Sequence, residues 1–329
     1  MRRPAFAIES AMDELARALH MDPLELRRRN IVRPGEPLLA MQEGPDDVTF
    51  TEDGLAKCID LVDEAMARTA DQPPPGPGWL VGAGVASSLH ETAPPTEHLS
   101  EAWVTLGDDL VYELAVGTVE FGEGTSTAHV QIAAHQLGTT PSRIRLVQSD
   151  TDRTGSDTGA FASAGLFVAG NAVLRAANAV RDRILEFAAA HTGEHLVMCS
   201  MEDESVRCGD RRVPLAELVA AARARGIRFT AARKAYGSPR SVTSNTQGFR
   251  IPAYAGIPRT EVLLVDSADS VGPLRSKGIA ECCINPVAPA PANALHDATG
   301  VRFRALPLTP ERIYRRLGDS APVTTGRRT

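Results

Sequence analysis

The sequence lacks an apolar run long enough to cross a bilayer, and its 43% of hydrophobic residues is typical of soluble globular proteins. It also lacks a basic bias, because 35 Lys and Arg residues stand against 41 Asp and Glu residues and give a formal charge of -6. Nucleic acids and anionic membranes attract clustered positive charge, so we expect neither as a partner. A small neutral substrate suits this composition better.

Cysteine is scarce. The five cysteines, Cys58, Cys199, Cys208, Cys282 and Cys283, form no CxxC pair and leave one over. This pattern argues against a disulfide framework and for a reducing compartment, so we predict a cytoplasmic protein. An iron-sulfur cluster needs about four suitably spaced thiolates, and we therefore do not expect this chain to hold one.

The eight histidines are scattered along the chain. One pair, His191 and His195, has helical spacing but no matching third ligand. We therefore predict that these two residues lie on the surface and that no side chains form a zinc site.

The spacing of apolar residues predicts a mixed α/β, or α+β, fold with short sheets covered by helices. In the first predicted helix, over residues 6–19, Ile8, Met12, Leu15 and Leu19 share one face. Further helices are predicted from Asp22-Pro23, over residues 55–66 and 173–187, from Pro214 and over 286–298. Strands are predicted over 80–88, 101–106, 110–118, 227–233 and 261–265, with the turn residues Gly107-Asp108-Asp109 joining the second and third strands in a hairpin, and a further hairpin is predicted over 197–207.

Residues 117–127 indicate a strand that runs into a glycine-rich loop and then a helix ended by Gly138. Glycines let a ligand approach the backbone, and the free N-H groups of a helix start attract a phosphate or another electron-rich oxygen. The loop is therefore suited to an anion. A capped helix without a ligand explains the same pattern at least as well.

Residues 150–163 form a second candidate, in which small and hydroxyl-bearing residues precede a long helix. Hydroxyls and backbone amides over this span could hold a polar heterocycle and its phosphate. A surface loop built of turn-forming residues is the simpler interpretation. Two such loops in one chain favour a shared ligand more than either loop does alone.

Residues 272–281 form a third candidate, which ends at Glu281 among apolar neighbours. Burial without a partner is costly and raises the pKa of a carboxyl group toward the range of a useful general base. We predict that Glu281 is such a base. The alternative is that it is exposed or pairs with Lys277 or Arg275.

Several separated stretches resemble, in order, the molybdopterin-binding part of the xanthine dehydrogenase and aldehyde oxidase family of molybdenum hydroxylases. Residues 5–14 and 22–30 are similar to the helical segments that follow the family's first cofactor loop. Residues 111–175 resemble its second cofactor-binding stretch, and residues 272–317 resemble its ending. The agreement of several motifs in order is more specific than any one of them.

The resemblance implies an elongated molybdopterin-binding domain that hydroxylates an aromatic N-heterocycle or an aldehyde, with water as the oxygen source. In the family a glutamate equivalent to Glu281 acts as the general base. The cofactor is molybdopterin, in the plain form or as the cytosine dinucleotide, and it carries the molybdenum, so no side chain is expected to ligate the metal. Electrons leave through iron-sulfur and FAD groups on partner subunits.

The same resemblance implies which residues face the cofactor. They are Phe121, Gly122, Glu123 and Gly124, then Ala160, Phe161, Ala162 and Ser163, and finally Lys277 and Gly278. One of them departs from the family, because Glu123 stands where glutamine or asparagine is usual. A carboxylate there would repel an anionic cofactor unless it were protonated.

The resemblance also implies a domain plan. Residues 1–45 correspond to the helical tail of the family's first molybdopterin-binding domain, residues 50–317 to the second such domain, and residues 318–329 to a disordered tail. The family's larger N-terminal half has no counterpart here, and a second gap falls near residues 250–254. A separate chain that supplies the first cofactor domain is therefore an expected partner.

Two functions stay open. The chain is an oxidoreductase that works as one piece of a molybdenum hydroxylase, or it is a non-catalytic remnant or assembly subunit, since residues around a cofactor act as a unit. A nucleotide-binding domain is a third possibility, but neither loop matches a dinucleotide fingerprint or a GK[ST] loop. In either of the first two cases, apolar faces left by the missing half predict association or poor solubility.

Overall fold

The computed structural model describes residues 2–34, 36, 54–68, 74–92, 97–202, 204–237, 241–248, 260–266, 272–278 and 280–318. Contacts divide the chain into two compact units. The first unit comprises Met1–His90, Val242–Ser267 and Ile279–Thr329, and the second unit comprises Glu91–Ser241 and Ala268–Gly278. The predicted domain limit at 45–50, the gap near 250–254 and a tail beyond Gly318 lie outside the described residues.

Helices and short sheets alternate along the chain, which confirms the predicted α/β class. In order, the elements are α1 (Arg2–Ala18), α2 (Pro23–Asn30), α3 (Gly54–Ala67), β1 (Val85–Thr92), β2 (Leu99–Leu106), β3 (Tyr112–Val116), α4 (Thr125–Leu137), β4 (Ile144–Gln148), α5 (Gly170–Thr192), β5 (Cys199–Glu202), β6 (Ser205–Cys208), β7 (Arg211–Pro214), α6 (Leu215–Ala224), β8 (Thr230–Tyr236), β9 (Ser241–Gly248), α7 (Ala280–Ile284), α8 (Pro289–Thr299) and α9 (Pro310–Gly318).

Helix α2 in the first unit begins where the sequence predicts. The side chain of Asp22 accepts hydrogen bonds from the backbone N-H groups of Leu24 at 2.8 Å and Glu25 at 3.0 Å, and Pro23 occupies the first helical position. A side-chain cap of this kind satisfies N-H groups that have no partner within the helix, and it is worth about 1 kcal/mol. Local sequence is therefore enough to start this helix.

The predicted apolar face of α1 is wrong. Ile8, Leu15 and Leu19 are 60%, 46% and 53% exposed, whereas Glu9 and Asp13 are buried. The reason is tertiary, because cationic side chains far along the chain pair with these two carboxylates. Helix α3 forms where the sequence predicts a helix, with Ile59 fully buried and Cys58 partly buried.

The second unit is built on a four-stranded sheet in the order β4-β3-β2-β8. The predicted hairpin is confirmed: β2 and β3 pair antiparallel, with Ala102 opposite Val116, and β8 pairs antiparallel with the other side of β2. Strands β3 and β4 are parallel. A parallel pair needs a crossover, and helix α4 provides it.

Helix α5 covers this sheet and confirms the predicted stripe. Val173, Ala177, Val180 and Ile184 are fully buried, and Phe187 is largely so. One turn of π-helix, Gly165–Ala169, leads into it. Among the described helices, none is both long enough and apolar enough to span a bilayer.

Two local predictions are wrong. Residues 260–266 have no regular secondary structure, although a strand is predicted over 261–265. Cys199 and Cys208 face each other across the hairpin of β5 and β6 and form a disulfide, with Cα atoms 4.1 Å apart, although the sequence argues against disulfides. The odd cysteine count hides this pair because it is the strand register that makes the two residues neighbours.

Candidate functional site

The topology places the first two candidate stretches at one edge of the sheet. Residues 117–124 leave the carboxyl end of β3, and residues 149–164 leave the carboxyl end of β4. Since β3 and β4 are parallel neighbours, both loops emerge on the same side. In α/β sheets, ligands bind in the crevice outside the carboxyl ends of parallel strands, so this edge is the candidate site.

Close contacts confirm that the bases of the two loops adjoin. A Cβ atom added to Gly117 would lie 2.6 Å from the carbonyl oxygen of Gly155 and 2.9 Å from the Cβ of Asp157. A Cβ atom on Gly165 would lie 3.8 Å from the Oγ1 of Thr118. Glycine at 117 is therefore required by the approach of the second loop.

The first loop is open toward its surroundings. Gly122 and Gly124 have φ angles of 98° and 86°, which disfavour other residues, and nothing described lies within 4 Å of a Cβ added to either. Phe121 is 71% exposed beside them. An exposed aromatic ring next to bare backbone is a surface on which a flat ligand can rest.

The amides of this loop are already used by two carboxylates of the chain. Glu120 accepts hydrogen bonds from the N-H groups of Gly122, Gly124 and Ser126, at 2.7, 3.0 and 2.9 Å. These bonds, with that from Ser126 the strongest, lower the pKa of Glu120 to about 2. The start of α4 is therefore capped by a carboxylate of the preceding loop, and the loop as a binding site stays a prediction.

Glu123 also bonds within this loop. One carboxylate oxygen accepts from the N-H of Phe121 at 2.6 Å, and the other accepts from the hydroxyl of Thr125. The residue that departs from the family pattern thus binds its own loop. Two negative charges stand where we expected a site for an anion.

The second loop is held against the start of β2. Asp157 forms a β-bridge with Ser100, and the N-H and hydroxyl of Thr158 both bond to Leu99, whose own N-H bonds back to that hydroxyl. Asp157 also accepts from the N-H of Gly159 at 2.8 Å. The loop is therefore an ordered extension of the sheet rather than a simple surface turn.

Phe161 lies on this anchored loop, half exposed, and stacks on His98 with ring centres 4.3 Å apart. It begins the short helix Phe161–Ser163, which follows Ala160. Ser163 has a φ angle of 55°, an uncommon conformation for a residue other than glycine. The side chain of Ala162 lies outside the described residues.

The beginning of the third stretch joins this site. A Cβ atom on Gly278 would lie 2.0 Å from the carbonyl oxygen of Ser163, so only glycine fits there. Lys277 precedes it and is half-buried. The structure therefore brings Gly278 to the second loop, as the resemblance implies for a common site.

Glu281 belongs to the first unit, in helix α7, and its side chain lies outside the described residues. Its helix is well anchored, because the hydroxyl of Ser88 donates to the carbonyl oxygen of Cys282 at 2.7 Å and Cys282 is fully buried. The role of Glu281 as a base stays a prediction.

Sequence reasoning missed a group of buried polar residues beneath the loops: His98, Ser100, Thr118 and His129 are each at most 2% exposed. Burial lowers the pKa of His129 to about 4, so its imidazole is neutral at physiological pH. The strand alternation was available as a signal, because His98 and Ser100 occupy the same face of β2 as Ala102.

The part of the chain that forms this edge is similar to known proteins. Residues 57–262, more than half of the chain, match the model of the molybdopterin cofactor-binding domain. The chain belongs to this family. The matched region contains both glycine-bearing loops and the sheet that supports them, and the resemblance to xanthine dehydrogenases and aldehyde oxidases is confirmed.

Individual relatives agree. This molybdopterin-binding domain is 27% identical over 384 residues to the probable hypoxanthine oxidase XdhD of Escherichia coli (strain K12), covering 94% of this chain and 40% of that protein. It is 24% identical over 392 residues to the putative xanthine dehydrogenase molybdenum-binding subunit XdhA of the same organism, covering 94% and 51%. The chain thus spans about half the length of these relatives.

The fold recurs in a solved structure. Quinoline 2-oxidoreductase from Pseudomonas putida 86 superposes with a TM-score of 0.79 at 21% sequence identity, over 97% of this chain and 52% of that one. At this level of identity the match shows the fold alone. It confirms the architecture predicted from the resemblance.

Proposed function

We propose that the edge formed by the two loops binds molybdopterin and that the chain contributes this site to a molybdenum hydroxylase. The observation that carries the proposal is the adjoining of the two glycine-bearing loops at the carboxyl ends of the parallel strands β3 and β4. Such an edge is where α/β sheets bind cofactors. The family match over residues 57–262 supports the choice of molybdopterin among possible cofactors.

At the first loop, the residues fit the flat ring system of the cofactor better than they fit its phosphate. Phe121 and Phe161 offer exposed rings, and Gly122 and Gly124 leave open space at the backbone. The amides of this loop are taken by Glu120 and Glu123.

An anionic group therefore suits the second loop, where Ala160, Ala162 and Ser163 would face it with backbone and hydroxyl groups. Gly278 contacts that loop at Ser163, and Lys277, which precedes Gly278 in sequence, carries a positive charge. In this arrangement the first loop holds the ring system and the second loop holds the phosphate. The structure is consistent with plain molybdopterin and with its cytosine dinucleotide.

The reaction we propose is hydroxylation of an aromatic N-heterocycle or an aldehyde with water as the oxygen source. When bound, the molybdenum cofactor supplies the Lewis acid and the acceptor for two electrons. Glu281 would take the proton from the attacking water, which requires a carboxylate of raised pKa in a dry environment. The similarity to XdhD, a probable hypoxanthine oxidase, supports an aromatic N-heterocycle as the class of substrate.

Partner subunits follow from this chemistry, because the chain has no thiolate set for an iron-sulfur cluster among its described cysteines. We propose that iron-sulfur and FAD groups are carried by other chains, and that a further chain supplies the first cofactor domain. Relatives named as a molybdenum-binding subunit and as a large chain are consistent with such an assembly. We propose the cytoplasm as its location, although the Cys199–Cys208 disulfide departs from the reduced cysteines expected there.

A non-catalytic remnant or assembly subunit is the second candidate. Its specific support is the bonding of Glu120 and Glu123 to the first loop, which satisfies that loop without any ligand. Expression in a host that makes the cofactor, followed by measurement of molybdenum and pterin per chain, separates the two. Close to one cofactor per chain supports the oxidoreductase, and none supports the remnant.

For a loaded and active complex, we expect Glu281→Gln to lower turnover by about 10²–10⁴-fold, because the amide cannot accept the proton. Its molybdenum content should be unchanged. Glu311→Gln is the matched control, because Glu311 is 72% exposed on α9. Equal turnover in the two variants would remove Glu281 from its assigned role.

A further inference from the structure

The inner face of the sheet in the second unit changes from apolar to polar at the edge where the loops emerge. Along β2, Ala102 and Val104 face the core, and the same alternation brings Ser100 and His98 to that face. Beyond the last β2–β3 pair, Ala102 and Val116, the second loop takes the place of β3: Ser100 bridges to Asp157, and a Cβ atom on Gly117, the residue before Thr118, would lie 2.9 Å from the Cβ of Asp157. The buried polar side chains of His98, Ser100 and Thr118 therefore lie where the second loop joins the sheet.

His129 on α4 adds a fourth. It is fully buried, and neither of its ring nitrogens has a hydrogen-bond partner among the described residues. The same holds for the hydroxyls of Ser100 and Thr118 and for Nδ1 of His98, whose ring otherwise bonds with the backbone of Gly159. We call these four residues the polar cluster.

Unpartnered polar atoms are costly in a protein interior when nothing satisfies them. Ordered water is the usual remedy where several polar groups lie close together, and each such water needs two to four partners. The polar cluster offers two hydroxyls and an imidazole that donates at one nitrogen and accepts at the other. Water is therefore the ligand that its chemistry fits.

Each loop brings a carboxylate toward this cluster. Glu120 of the first loop bonds to the N-H of Ser126 in the first turn of α4, and His129 lies one turn further along the same helix. Asp157 of the second loop pairs with Ser100 and touches Gly117, the residue before Thr118. Both negative charges act on the imidazole, although burial outweighs them.

We propose that His129 is a positioning residue that links the two cofactor-facing loops: through ordered water in the polar cluster, one ring nitrogen reaches Glu120 and the other reaches Asp157. The link holds Phe121 and Phe161 at a fixed separation. This inference rests on the proposed function only where it describes the loops as cofactor-facing. The connection between the loops is a property of the chain itself.

The test is amide hydrogen exchange in the full chain, read at Gly122 and Gly124 in the first loop and at Gly159 in the second, with buried α5 amides as the internal reference. In His129→Leu, which keeps the bulk and removes both nitrogens, we expect exchange to rise roughly tenfold in both loops relative to α5. His129→Gln, which retains a donor and an acceptor, should restore most of the protection.

Unchanged exchange in His129→Leu, or a rise in only one loop, would overturn the proposal. So would a higher melting temperature for that variant, since removing a dry, unsatisfied imidazole stabilises a core. If His129→Leu does not fold, the exchange experiment is made on Thr118→Val, which removes one hydroxyl of the polar cluster at constant volume. Coupled loss of protection in both loops is again expected, and its absence counts against the link.

Pterin content distinguishes this inference from the proposed function. A wild-type chain that acquires no pterin overturns cofactor binding, whereas the exchange experiment still decides whether His129 links the loops. A wild-type chain that binds pterin, with unchanged exchange in both His129→Leu and Thr118→Val, overturns only the link.

Discussion

The buried polar groups of the two units differ in kind. The buried charged side chains of the described residues all lie in the first unit and are paired: Arg27 lies 2.7 Å from Glu9, and Asp13 pairs with Arg17 and Arg302. In the second unit the polar cluster is neutral, and five of its polar atoms have no hydrogen-bond partner among the described residues. Paired charges indicate a structural role. Unpartnered polar groups at the edge that carries the loops indicate a place for ordered water.

The pairs of the first unit also join distant parts of the chain. Glu9 on α1 bonds to Arg27 on α2 and to the N-H of Ser87 on β1, and Asn293 on α8 bonds to the backbone of Glu9 and Val85. Removing one partner would leave the other charged and buried. The first unit therefore depends on these contacts for its assembly from separate segments.

Breaking the buried pair should have the largest effect on stability. Arg27→Met leaves Glu9 buried without a counter-charge, and we expect a loss of about 3–5 kcal/mol in the free energy of unfolding. Urea denaturation followed by circular dichroism measures it. The double variant Arg27→Met, Glu9→Met should recover much of the loss, and a single variant as stable as wild type would refute the structural role of the pair.

The neutral histidine of the second unit should show itself in the pH dependence of stability. The pKa of His129 is about 4 in the folded chain against an ordinary 6.5, so between these values the unfolded chain binds a proton that the folded chain does not. Stability should therefore fall as pH decreases from 6.5 to 4, by at most about 3 kcal/mol.

His129→Gln isolates that contribution, because glutamine does not titrate. The difference in unfolding free energy between wild type and variant should vary with pH only in this window. Other histidines with lowered pKa values, His98 and His296, contribute equally to both chains and cancel. A constant difference from pH 7 to pH 4 would mean that His129 is not buried in its neutral form.

An exposed pair in the first unit supplies the smallest effect. Arg29 and Glu25 lie 2.7 Å apart on α2 with side chains 62% and 40% exposed. Because water screens them, Arg29→Ala should cost only about 0.3–0.5 kcal/mol by the same denaturation assay. A cost close to that of Arg27→Met would show that burial does not separate the two classes of pair.

Local patterns predicted the elements whose signals are contained in neighbouring residues. The cap at Asp22, the hairpin around Gly107 and the stripe of α5 all appear as expected. The buried face of α1 was predicted wrongly. Glu9 and Asp13 can be buried there because arginines elsewhere in the chain pair with them. The spacing of apolar residues does not show which carboxylates will be buried in a pair with a cation far away in the sequence.

The candidate site was predictable in part. The glycine-rich stretches around Gly122 and Gly159 were identified from their residues, and Gly278 was assigned through the resemblance. The self-capping by Glu120 was not predicted, since it depends on how the loop folds back onto the start of α4. His129 also escaped notice, because a single histidine in a helix carries no signal of its burial.

By itself the sequence determined the class of fold, the family and the order of the loops, because these follow from local spacing and from motifs that occur in series. Only the tertiary structure decided that β3 and β4 lie side by side, that both loops share one edge, and that four polar side chains are enclosed beneath them. The physical reason is that strand pairing and burial are made between residues far apart in the chain, and no local pattern records which distant groups will meet.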